Sequence, residues 1–94
     1  GIHAYPDPVP IPYDEPNVRI RWRITKAHKD WCFTEDGIKI GWNFGQFVEP
    51  EYWSRREFRW TSRNTNEKLY KYTITVTNGE TQASYDPGIQ NGAH

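Results

Sequence analysis

The chain has 94 residues, 12 of them basic and 12 acidic, and its formal net charge is zero. A cancelled bulk field gives no footprint for a general nucleic-acid or anionic-membrane binder. A chain of this length supports one core and leaves no room for a second, and no apolar run approaches the roughly 20 residues that span a bilayer.

Hydrophobic residues make up only 35% of the chain, but aromatics reach 16%, so five Trp, six Tyr and four Phe must supply much of the core. Leu occurs once, at Leu69, and Met never. Val, Ile, Thr and aromatic residues dominate the apolar stretches, which favours strands over helices.

Residues 1–17 carry Pro6, Pro8, Pro10, Pro12 and Pro16. Proline fixes φ and removes a donor, so this segment reads as an extended, polyproline-II-like leader that crosses a sheet edge or links to something upstream. Ile11 and Tyr13 are its docking side chains. Residues 18–24 then alternate without a fault: Val18, Ile20, Trp22 and Ile24 inward, Arg19, Arg21 and Arg23 outward. A polar connection over 25–30 contains His28.

Residues 31–44 read as a β-hairpin closed by a type I′ turn on Asp36-Gly37. That register opposes Trp31 to Trp42 and Phe33 to Ile40. It gathers Trp31, Phe33, Ile38, Ile40, Trp42 and Phe44 on a core face, with Cys32, Thr34 and Lys39 on the other. A single helical turn is expected to start at Pro50, a residue welcome at a first helical position. Residues 57–61 form a strand with Phe58 and Trp60 inward, and 62–68 form a polar surface loop.

Tyr72, Ile74 and Val76 define the buried face of a strand over 70–77. Asn78-Gly79 supplies a second type I′ signal, opposing Val76 to Thr81, Ile74 to Ala83 and Tyr72 to Tyr85. Asp86-Pro87-Gly88 ends the final strand, and 89–94 reads as a loose tail with Ile89 as an anchor.

Short, evenly spaced strands joined by turns predict an all-β chain: a small antiparallel β-sandwich, immunoglobulin-like, of six to seven strands. The expected organisation is a leader over 1–17, a sandwich domain over 18–88 and a tail over 89–94. The paired cysteines of antibody-type domains are absent, so the pattern carries only the generic architecture.

Chemistry finds no constellation in the sequence. The single cysteine, Cys32, rules out an intrachain disulfide and a thiolate cluster, and is expected on a strand rather than at a pKa-lowering helix N-terminus. Of the three histidines, His3 and His94 lie near the ends, and His28 with Asp30 offers two metal ligands at most. No phosphate loop or nucleophile elbow occurs. The expectation is therefore no enzyme, no metal and no cofactor.

Residues 52–63 are the local anomaly, with four Arg and four aromatics in twelve positions. Arginine beside a flat ring stacks on bases and binds carboxylate or phosphate in a fork. Tyr52, Trp53, Arg55, Arg56 and Arg59 are the expected contact residues. The reading is a binding or accessory module that contacts a protein or a carbohydrate. Two alternatives stand beside it: an anionic-ligand or single-stranded nucleic-acid binder using the Arg rows, and a structural subunit that oligomerises through a strand edge as a homodimer. Aromatic, Thr-rich strands behind a Pro-rich leader suggest an extracellular or periplasmic setting.

Overall fold

A computed structural model describes residues 4–94 and builds them from eight strands and one 3₁₀ turn (Lys26–His28). The strands are β1 (Val9–Pro12), β2 (Val18–Arg23), β3 (Cys32–Ile40), β4 (Phe47–Ser54), β5 (Glu57–Ser62), β6 (Leu69–Thr77), β7 (Gln82–Tyr85) and β8 (Gly88–Ala93). One sheet runs β1-β8-β6-β3 with β7 also on β6, and the other runs β2-β5-β4. The chain is all-β, and its two sheets are consistent with a small β-sandwich. Eight strands replace the expected six or seven: the two arms of the expected hairpin run as the single β3, while the leader, residues 47–54 and the C-terminal segment each add one. No helix among the described residues is long and apolar enough to cross a membrane.

Alternation builds the core. Ile20 and Trp22 of β2, Phe58 of β5, and Tyr72, Ile74 and Val76 of β6 are all buried, as the period-two pattern requires. Six unbroken pairs join β2 to β5, from Val18–Ser62 to Arg23–Glu57. In the leader, Val9–Pro12 pairs in parallel with β8 and buries Ile11, while Tyr13 stays outside and stacks on His94 at 4.5 Å.

The hairpin expected at Asp36-Gly37 is not formed. β3 runs on through those residues, and both its halves pair with β6: Cys32–Thr77 and Phe33–Val76, then Ile38–Ile74 and Ile40–Tyr72. Residues 34–37 bulge out between Phe33 and Ile38. One long partner strand thus aligns two segments that the turn chemistry alone would have folded onto each other. Gly37 has no positive φ. It is needed because a Cβ there would lie 2.8 Å from Phe33 Cβ and 2.9 Å from Thr34 O. Trp31 and Trp42 consequently do not pair, and Trp42 and Phe44 leave the core altogether.

Three further expectations are corrected by the observed ladders. The β6–β7 register is Val76–Ala83 and Ile74–Tyr85, two residues from the expected one. Asn78 Oδ1 accepts from the N–H groups of Glu80 and Thr81, which holds a longer loop than a two-residue turn. No helical turn starts at Pro50; β4 continues past it, with Glu49 left-handed at φ 57° and a shift in register. The expected loose tail is β8, with Ile89 and Asn91 fully buried between β1 and β6. Its Gly-Ile-Gln-Asn-Gly-Ala sequence has little strand propensity, so tertiary partners make it a strand.

Asn91 also centres a buried polar lock. Its Oδ1 accepts from Ser62 Oγ at 2.8 Å, and its Nδ2 donates to Gln46 Oε1 and Asn66 Oδ1 at 3.3 Å. Gln46 bonds Thr65 through both ends of its amide, at 2.6 and 2.8 Å. Asn64, expected in a surface loop, is buried and left-handed (φ 57°), donating to Pro12 O and Glu15 O.

Candidate functional site

The outer face of the β2-β5-β4 sheet collects the arginine rows. Register sets Arg21 opposite Arg59, Arg23 opposite Glu57, and Glu51 opposite Arg59 on its other side. The Arg59 guanidinium lies 3.6 Å over the Trp53 ring and bonds Glu57 Oε2 at 2.6 Å. Arg23 Nε takes Glu57 Oε1 at 3.0 Å. Burial would push the Glu57 carboxyl up, but the hydrogen bonds from Arg59 and Arg23 prevail and hold it below its ordinary value. Arg19 spans Glu49 O, Thr61 Oγ1 and Glu51 Oε1. Of the four arginines Arg19, Arg21, Arg23 and Arg59, Arg21 is the one without a side-chain hydrogen bond or ion pair among the described residues.

The five expected contact residues therefore separate. Trp53 and Arg59 meet on this face, with Trp53 half exposed. Tyr52 points to the other side and meets the edge of buried Phe58 at 6.4 Å. Arg55 is exposed, and its backbone carbonyl accepts from Phe33 N at 2.7 Å. Arg56 turns inward along the chain. Its Nη1 donates to the carbonyls of His28, Lys29 and Trp31, and its Nη2 to those of Ile24 and Thr25. A guanidinium engaged by five carbonyls ties down the 24–31 connection and has little left for a ligand.

A second surface was invisible in the pattern. Between β3 and β4, Gln46 N donates to Asn43 O at 2.9 Å across Phe44 (φ 56°) and Gly45 (φ 73°). Two consecutive left-handed residues and this bond make a type I′ turn. A bulky aromatic in the left-handed region is strained by about 1–2 kcal/mol. The strain is not offset by burial, since Phe44 is 56% exposed and the adjacent Trp42 is 81% exposed. The two rings meet edge to face at 5.3 Å, Lys68 Nζ lies 4.7 Å from the Phe44 ring, and the neighbouring Leu69 is exposed. The foot of the turn is fixed, because Gln46 is part of the buried polar lock. A Phe-Gly pair at a type I′ turn was the available sequence signal; Asp36-Gly37 outcompeted it on turn propensity.

Cys32 Sγ points to Thr77 O at 3.7 Å, and no hydrogen bond joins it to the exposed His28. His3 lies outside the described residues. Among the described residues, no three of His, Cys, Asp or Glu come together as a metal-binding group. Comparison of the chain with protein-family models, with curated proteins and with solved structures returns no match.

Proposed function

We propose that this chain is a non-catalytic binding module that contacts a partner protein through the Trp42–Phe44 turn. One observation carries the reading: two aromatic rings stand in solvent on a turn that strains one of them, above a rigid buried foot. Tryptophan is prominent among the residues that dominate protein interfaces, and a preformed loop lowers the entropy lost on docking. A carbohydrate contact is less well supported at this turn. Sugars need polar groups fanned around the stacking ring, and the Asn43 amide is already turned back to Gly41 O and Phe47 N.

The same reading takes the sandwich as immunoglobulin-like. Parallel pairing of β1 with β8, beside an antiparallel β2-β5-β4 sheet, supports it. Trp22 of β2 and Tyr72 of β6 pack against each other across the two sheets, a cross-sheet link of the kind that antibody domains make with a disulfide.

A second reading, favoured by unpaired Arg21 beside the Arg59–Trp53 stack, is an anionic ligand on the outer face. Comparative affinity capture from the source extract separates the two. Loss of a captured protein with Trp42→Ala, but not with Trp53→Ala, is the expected result. Retention with Trp42→Ala and loss with Arg21→Glu, steeply sensitive to salt, would favour the anionic reading.

A further inference from the structure

We propose that the open edge of β2 accepts an extended strand from a partner protein, with acidic side chains on its outer face and aliphatic ones inside. The sandwich is open along this side. A cleft of about 690 Å³ runs between the sheets, walled by Ile20, Trp22, Phe33 and Ile74 and bordered by Ala4 and Val9 of the leader. Residues 20–25 all line it consecutively. Side chains of a strand alternate between faces, so six consecutive residues reach one wall only if the strand's backbone edge forms that wall.

The polar groups of that edge follow from the ladder. Ile24 N–H donates to Arg56 O, in step with the unbroken β2–β5 register. By antiparallel alternation the even-numbered residues bond β5, and the N–H and C=O groups of Arg19, Arg21 and Arg23 point to the open edge. The other exposed edges are blunted. β1 carries Pro10 and Pro12, and β4 carries Pro50 beside left-handed Glu49. β7 spans four residues, and on β3 the Phe33 N–H is taken by Arg55 O. β2 has neither proline nor bulge, so it is the edge fit for strand addition. Among the described residues the leader reaches the cleft with Ala4, Pro6 and Val9 but forms no ladder with β2; its strand β1 pairs with β8. Asp7 moors the leader to the opposite sheet by accepting from Tyr85 Oη at 2.8 Å and Gly88 N at 2.9 Å.

Charge selects the occupant. A second copy pairing β2 with β2 would set Arg against Arg on one face, which is destabilising. A strand alternating acidic and aliphatic residues sets a carboxylate beside Arg21, the arginine of β2 whose charge Glu51 and Glu57 leave unpaired, and its aliphatic side chains over the cleft.

The test uses isotope-labelled full chain and two synthetic peptides of about six to eight residues, the usual strand length, alternating valine with glutamate or valine with lysine. The expected result is binding of the valine–glutamate peptide alone, with slowed amide exchange at Arg19, Arg21 and Arg23 and none at Trp22. Arg21→Glu, with an unchanged unfolding temperature, should weaken that peptide and favour the lysine one. Equal binding of both peptides, no binding, or shifts without protection on β2 overturns the proposal. Because Trp42 lies on a separate turn, Trp42→Ala should leave peptide binding unchanged, so failure here is distinguishable from failure of the turn as a docking site.

Discussion

Trp22 Nε1 donates to Tyr72 Oη at 2.9 Å, with the rings 5.3 Å apart, and this bond joins the two sheets inside the core. Burial pushes the Tyr72 phenol up to about 12, against the opposing pull of the Trp22 N–H and with the nearby Asp7 and Tyr85 adding to the rise. A raised folded pKa means the contribution is complete below the ordinary value of 10 and is lost as pH climbs towards about 12. Alkaline unfolding should therefore set in across that window. Trp22→Phe strands the hydroxyl and should cost about 1–3 kcal/mol. Removing the bond that favours the phenolate should also move the Tyr72 titration higher, as read by ultraviolet absorbance.

Gly37 and Gly41 make a matched pair. A methyl at Gly37 meets Phe33 Cβ at 2.8 Å and the Thr34 carbonyl at 2.9 Å, whereas nothing lies within 4 Å of one at Gly41. Gly37→Ala should destabilise by about 1–3 kcal/mol, the usual range for overpacking. Gly41→Ala should stay within about 0.5 kcal/mol, as for ordinary surface positions. Chemical denaturation measures both. Equal effects would contradict the continuous β3 strand.

Arg56→Lys keeps the charge and loses the fork. Five carbonyls face the guanidinium, and an ammonium cannot reach all of them from one point. The expected loss is about 1–3 kcal/mol. It should be accompanied by faster amide exchange at His28 and Trp31, whose N–H groups close the 25–31 turns. Exchange that rises uniformly over the domain would contradict a local clasp.

Glu57 contributes to the acid limb, as does Asp7, whose carboxyl is lowered by the bonds from Gly88 N and Tyr85 Oη. For Glu57, the depressed pKa means that its contribution is present above the ordinary value of 4.5 and is lost as pH falls through the lower folded value. Trp53 fluorescence should change over the same step, since Arg59 bridges Glu57 and the indole. Glu57→Gln should abolish the step while leaving the fold intact.

Legibility in the sequence followed periodicity. The runs over 18–24, 57–61 and 70–77 alternate strictly, and β2, β5 and the buried face of β6 were readable from them. Turn chemistry misled twice. Asp36-Gly37 lost to a partner strand long enough to pair both its flanks, and Asn78 used its side chain to hold a wider loop. β8 was hidden because its stability comes from Asn91 and Ile89 meeting distant partners. The contact site was half legible. Arg and aromatic density located the Trp53–Arg59 stack, but nothing local distinguished Arg56, which serves the backbone, from an arginine free to bind. Trp42 and Phe44 read as core because their alternation continues that of the strand before them.

The most direct measurement is the stability of Phe44→Gly. If the ring is held in solvent for a partner rather than for the fold, relieving the left-handed strain should offset the lost contacts with Trp42 and Lys68. Stability should then be unchanged or higher by up to about 1 kcal/mol. A loss above about 2 kcal/mol, the scale of a buried aromatic, would mean that Phe44 serves packing and would contradict the assignment of this turn as the docking surface.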